Sequence, residues 1–243
     1  MTESEYTNWV DLGHQLSDHA LELAQAGRLE AAQDELARAR SLFLRAGDQH
    51  WLAYVDHQRL GFLPGPQAWG LARQLEQRYR QCFDAKGEVL ALIHSASLAA
   101  SMGKVNQALA RLWAAEALAR ARAPERLYLV LSQLGLEYLE RQEYLRAAEL
   151  LDQALHHGAD EDPERRGWCF FMLGRAFDGI YRPTQAEAFY RKALSEALKS
   201  QDAAAVQETR AVLLDLEKRL NSDFGFSDLG LKSRSFLKER GLL

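Results

Sequence analysis

Seven histidines are the first residues to test for chemistry, because two imidazoles four residues apart on a helix, with an adjacent glutamate, build a zinc hydrolase. His14 and His19 stand five residues apart, and His156 and His157 end a helical stretch, so neither pair has that spacing. Cys82 and Cys169 each fall on an apolar helical face, which predicts two buried free thiols and no disulfide framework. The glycine string Gly61, Gly65, Gly70 lacks the Lys-Ser/Thr of a phosphate loop and follows no strand, and it fails as a Rossmann fingerprint for the same reason. No nucleophile elbow occurs, and acidic pairs such as Asp34 and Glu35 read as solvated charge on a polar face. These residues predict a chain that is not an enzyme, with no metal and no cofactor.

Charge narrows the partners. The formal net charge of -4 gives no support for nucleic acid, which demands a strongly basic domain or face. The opening MTESEYTNWV has no basic region followed by an apolar stretch, and no window approaches the roughly 20 apolar residues of a membrane span. A cytoplasmic protein with no membrane contact is expected. Arginine greatly outnumbers lysine, which points to GC-rich coding and a bacterial source.

The elements that must position any site are helices. Ala, Leu, Arg, Glu and Gln dominate, and the five prolines lie far apart. Turn segments recur at Gly27-Arg28, Gly65-Pro66, Gly103-Lys104, Gln142-Glu143 and Tyr181-Arg182, with separations of 38, 38, 39 and 39 residues. A fixed period is the mark of a stacked array. Aligned on these turns, Leu16, Tyr54, Leu92, Leu131 and Phe170 share one large apolar position. Ala32, Gly70, Ala108, Ala147 and Ala186 share a small one, and Ala39, Gln77, Ala115, Ala154 and Ala193 another that is Ala in all repeats but the second. Small residues let helices approach while large ones fill the gaps between them. Helices are predicted over 4–26, 29–46, 49–62, 66–84, 87–102, 105–122, 125–141, 144–157, 163–180, 183–200 and 202–220. Asp162-Pro163 supplies a cap followed by Pro at the first helical position.

The run Leu131, Leu134, Gly135, Tyr138, Tyr144, Ala147, Leu151, Ala154 and the run Phe170, Leu173, Gly174, Phe177, Pro183, Ala186, Tyr190, Ala193 resemble the tetratricopeptide repeat family. Repeat two departs most, with Gln58, Gly61, Gln74 and Gln77 where small or apolar residues are expected, and its second helix buries Leu71, Leu75, Tyr79 and Cys82 instead. The period of 38 to 39 residues marks an extended-repeat type, as in arrays found in bacterial peptide receptors, sensor domains of transcription activators and eukaryotic polarity adaptors. The resemblance implies an all-α, right-handed superhelical solenoid of about five helix-turn-helix repeats plus a closing helix and a C-terminal tail. It divides the chain into a solenoid over 1–220 and an apolar tail over 221–243.

The same resemblance places the first helix of each hairpin on a concave binding face. Its implied lining includes His14, Leu21, Leu52, Val55, Leu90 and Ile93, and the candidate ligand-binding residues are Arg59, Phe62, Ser132, Leu136, Glu140, Trp168, Phe171 and Arg175. Two readings stand for Leu52, Val55, Leu90 and Ile93, exposure on the face or burial between tightly curved helices. Two also stand for Arg59 and Arg175, which either pair helices or anchor an acidic group of a partner. The positions matching the family's chaperone-tail clamp hold Ser17, Val55, Ile93, Ser132 and Phe171, which argues against that specificity. In the tail, Phe224, Phe226, Phe236 and Leu237 are too apolar for an ordinary solvated terminus. It either caps the last hairpin or lies in a groove, its own or that of a second copy in a homodimer. The expected function is a protein- or peptide-binding adaptor, with a regulatory sensor held back by its own tail as the alternative.

Overall fold

The computed structural model describes residues 2–158 and 162–223, the last three by backbone alone. Among the described residues there is no strand, and the chain is all-α. Helices run α1 (Glu3–Gln25), α2 (Leu29–Ala46), α3 (Gln49–Arg59), α4 (Gly65–Gln81), α5 (Ala85–Ser101), α6 (Val105–Arg122), α7 (Leu127–Glu140), α8 (Tyr144–His156), α9 (Pro163–Gly179), α10 (Pro183–Lys199) and α11 (Ala203–Asp223). Short 3-10 turns follow α3 at Leu60–Phe62 and precede α7 at Pro124–Arg126. The boundaries follow local chemistry. Thr2 and Glu5 form a capping box on α1, and the carboxylates of Asp48, Asp84 and Asp162 accept backbone N–H groups at the starts of α3, α5 and α9. Pro163 and Pro183 occupy the first turns of α9 and α10, where a missing N–H costs nothing.

The second repeat corrects the sequence alignment. The second helices begin after caps at Arg28, Pro64, Lys104, Glu143 and Arg182, so the turn of repeat two lies two residues earlier than Gly65-Pro66 suggests. Gly65 and Pro66 are inside the first turn of α4. Registered on the caps, the small position reads Ala32, Ala68, Ala108, Ala147, Ala186, and none is more than 1% exposed. Gly70, aligned there by the turn dipeptide, is exposed with open space around it. Leu52, 3% exposed, takes the large apolar position in place of Tyr54, which is 39% exposed. Leu75 and Tyr79 are buried as expected of this helix, whereas Leu71 and Cys82 are only partly covered.

The chain forms two compact units, divided inside α7 between Leu134 and Gly135. In the first, α1 pairs with α2, α3 with α4 and α5 with α6. One core gathers Ala20, Leu36, Ala39, Phe43, Leu52 and Val55, and a second gathers Ala53, Ala68, Ala72, Leu75, Tyr79 and Ala91. The second unit pairs α9 with α10, and α11 packs on α10 through Leu216, which joins Ala186 and Tyr190 in the core. Close approach here requires glycine: a Cβ on Gly135 would lie 2.6 Å from Leu151 Cγ, and one on Gly174 would lie 2.5 Å from Tyr190 Cε1. Burial of these interlocking side chains supplies the stability that short helices lack alone.

Candidate binding face

In the first unit, first helices of successive repeats touch directly. The ring centroids of His14 on α1 and Trp51 on α3 are 4.0 Å apart and edge-on. One repeat further along, His57 Nε2 on α3 and His94 Nδ1 on α5 are 2.6 Å apart, so one ring N–H donates to the other ring nitrogen. The Tyr79 hydroxyl on α4 lies 3.4 Å from His57 Nδ1. Burial and the neighbouring His94 pull the His57 pKa down to about 4, burial lowers that of His94, and burial pushes the Tyr79 phenol up. Leu21, more than half exposed, is an apolar residue that this face presents to solvent.

Of the residues singled out from sequence, Arg59, Phe62 and Ser132 lie in this unit. Arg59 Nη1 donates to Asp56 Oδ1 at 2.9 Å. Phe62 packs against the core cluster of Phe43, Leu52 and Val55. Ser132 is buried, and its hydroxyl donates to the Tyr128 carbonyl one turn back. Leu52 and Val55 are core residues as well, which decides for burial between the two readings of those positions. The two-residue register shift explains Arg59: it sets His57, in its place, at the position that matches Leu21 of repeat one.

In the second unit the structure brings two of the singled-out residues together. Arg175 Nη2 on α9 donates to Glu140 Oε1 on α7 at 3.3 Å, both side chains being well exposed. Trp168 and Phe171 lie on the same face of α9 as Arg175, at spacings of seven and four residues, and both are half-buried. Phe171 backs onto Tyr190 with ring centroids 5.5 Å apart. Leu136, one turn before Glu140, is half-buried too. Further along the same face of α9, Asp178 accepts two bonds from Arg219 on α11, of 3.1 and 2.7 Å. The contacts of Phe171 with Tyr190 on α10 and of Asp178 with Arg219 on α11 fix the pose of α9, and the patch it offers combines aromatic surface with exposed charge of both signs.

Sequence reasoning missed Asp56 and the arginines around it. Arg40 Nε on α2 and Arg59 Nη1 bond its Oδ1 at 2.7 and 2.9 Å, and Arg78 Nη1 on α4 bonds its Oδ2 at 2.5 Å. With the cap-based register the signal is visible, since Asp56 falls where the other repeats place Ala20, Ala96, Gly135 and Gly174. Among the described residues no cluster of three or more His, Cys, Asp or Glu could hold a metal.

Solved structures resemble this chain over most of its length. The tetratricopeptide repeat sensor of a signal-transduction ATPase with numerous domains from Pyrococcus horikoshii superposes with a TM-score of 0.69 over 98% of this chain, at 16% identity. The fold is that of the tetratricopeptide repeat. A thermophilic tetratricopeptide repeat protein of Thermus thermophilus matches with a TM-score of 0.57 at 24% identity, over 83% of this chain and 99% of its own. A Rap protein complexed with competence and sporulation factor matches with a TM-score of 0.60 at 13% identity, over 88% of this chain. The chain spans 38% of the ATPase and 65% of the Rap protein. No family model matches the sequence, and no curated protein matches it. In tetratricopeptide repeat terms, α1, α3, α5, α7 and α9 are the first helices and α2, α4, α6, α8 and α10 the second, with α11 closing the array.

Proposed function

We propose that this chain is a non-catalytic protein- or peptide-binding scaffold that uses the faces of its first helices. The observation that carries the reading is the Arg175–Glu140 contact beside Trp168 and Phe171. Two first helices one repeat apart are held side by side with aromatic surface and both signs of charge open to solvent. Aromatic anchors flanked by arginine are the composition of binding hot spots, and a rigid helical frame lowers the entropy cost of engaging a partner. A net charge of -4 speaks for protein over nucleic acid, and among the described residues no helix is long and apolar enough to cross a membrane. The solenoid domain of this reading covers 1–220.

A second reading, a regulatory sensor, is favoured by the likeness to the sensor of the Pyrococcus ATPase and to the Rap protein in its complex. In that reading the apolar tail over 221–243, of which residues 224–243 lie outside the described residues, occupies the face of its own chain or of a second copy and holds the protein inhibited or dimeric.

The test is capture of partners from native lysate by the full chain and by an Arg175→Glu variant, read by mass spectrometry. A partner retained by the first and lost by the folded variant supports the scaffold. Sedimentation and capture on deletion of residues 222–243 separate the two readings: release of a dimer, or newly gained capture, supports the sensor, and no change in either removes it.

A further inference from the structure

We propose that Arg40, Arg59 and Arg78 form a binding site for a phosphate dianion, free or as a phosphomonoester, on the first unit. The carboxylate of Asp56 is fully buried, and it receives one guanidinium from each of α2, α3 and α4. Among the described residues no second acidic group stands within ion-pairing distance of these three arginines, so the cluster carries two positive charges in excess. The pattern differs from Arg80–Glu88, where one arginine balances one buried carboxylate.

The cluster is also one-sided. Asp56 is sealed beneath, while the side chains of Arg40, Arg59 and Arg78 remain 31%, 31% and 23% exposed. Each guanidinium has five N–H donors and spends one on Asp56, leaving further donors on three side chains that share one anchor and remain partly open to solvent. A carboxylate ligand would leave one charge unbalanced. A phosphate dianion cancels both, and its three outer oxygens accept from three planar forks at once.

The fold itself does not call for ions at this place. In the flanking repeats the positions of Asp56 and Arg59 are held by Ala20 with Leu23 and by Ala96 with Ala99, all buried. Desolvating a carboxylate costs free energy that an apolar pair avoids, so Asp56 is explained by what it does for the arginines: it holds three guanidiniums together from beneath while their side chains stay partly exposed. The site draws on no residue of the α7–α9 contact, so its failure leaves the scaffold reading in place, and the reverse also holds.

The experiment is thermal unfolding of the full chain at pH 8 in sodium phosphate, against sodium chloride and sodium acetate at equal ionic strength, with calorimetric titration of inorganic phosphate. Saturating phosphate is expected to raise Tm by about 2–4 °C over both controls. Arg40→Gln and Arg59→Gln each leave two arginines on Asp56 and are expected to lose that rise while keeping their helical circular dichroism. O-phosphoserine separates the sources: a rise equal to that of inorganic phosphate assigns the site to phosphomonoesters, and a rise with inorganic phosphate alone assigns it to the free ion. Equal Tm in phosphate and chloride with no heat of binding, or a rise that persists in both variants, overturns the proposal. If the variants do not fold, the calorimetric titration of the unaltered chain decides it.

Discussion

His57 Nε2 and His94 Nδ1, on neighbouring first helices, lie 2.6 Å apart and share one hydrogen bond. That geometry holds only while at least one ring is neutral, and burial with the adjacent ring holds His57 at about 4. The unfolded chain takes up protons near 6.5, above the folded value, so the stabilising contribution is complete above pH 6.5 and is lost as pH falls towards about 4. Urea melts should show stability dropping by up to about 1.4 kcal/mol per pH unit in this window. A His57→Gln variant should flatten the dependence there, and an unchanged slope would refute the assignment.

Asp56 offers a second test. Asp56→Ala leaves three arginines facing one another over a buried gap and is expected to cost about 3 kcal/mol. Asp56→Ala with Arg59→Leu restores the Ala and Leu that repeat one carries at 20 and 23. It should recover part of the loss, measured as non-additivity in a double-mutant cycle.

Gly70 separates the cap-based register from the turn-based one, with Gly174, buried in both, as the reference. Gly70→Ala adds a methyl to an exposed helical site with open space around it, and should stabilise by about 0.5–1 kcal/mol. Gly174→Ala drives a Cβ into Tyr190 and should cost about 1–3 kcal/mol. Equal effects at the two sites would contradict the structure.

Tyr181 sits in the turn between α9 and α10 with φ of 58° and is 93% exposed. A bulky residue in the left-handed region loses about 1–2 kcal/mol per residue to its own Cβ, whereas Gly27 and Gly103 take the same place in repeats one and three at φ of 75° and 72°. Tyr181→Gly forfeits no packing, and after the entropy cost of glycine it should raise stability by about 0.5–1 kcal/mol in thermal melts.

Arg175→Ala and Glu140→Ala should each change stability by less than about 0.5 kcal/mol, because exposed ion pairs contribute little. Either variant can therefore be carried through partner capture without a folding defect, a condition that melting curves check directly.

The sequence by itself determined the helical hairpins, and their period from the third repeat onward. Helix starts at 29, 105, 144, 163 and 183 were legible because capping carboxylates, first-turn prolines and turn residues act within four residues of the boundary they set. The apolar and small positions of repeats four and five were legible for a similar reason, since glycine and alanine at helical spacing encode close approach directly.

Repeat two was different. Gly65-Pro66 is a turn signal in isolation and also suits the first turn of a helix, and only packing showed that Ala68 faces the neighbouring helix while Gly70 faces water. The contacts that give the molecule its chemistry were decided by tertiary structure alone. Arg40 and Arg78 are 16 and 22 residues from Asp56, His94 is 37 from His57 and Arg175 is 35 from Glu140. Local propensity carries no term for such distances. They are set by which helix faces the burial of Leu52, Val55, Leu75 and Tyr190 turns towards one another.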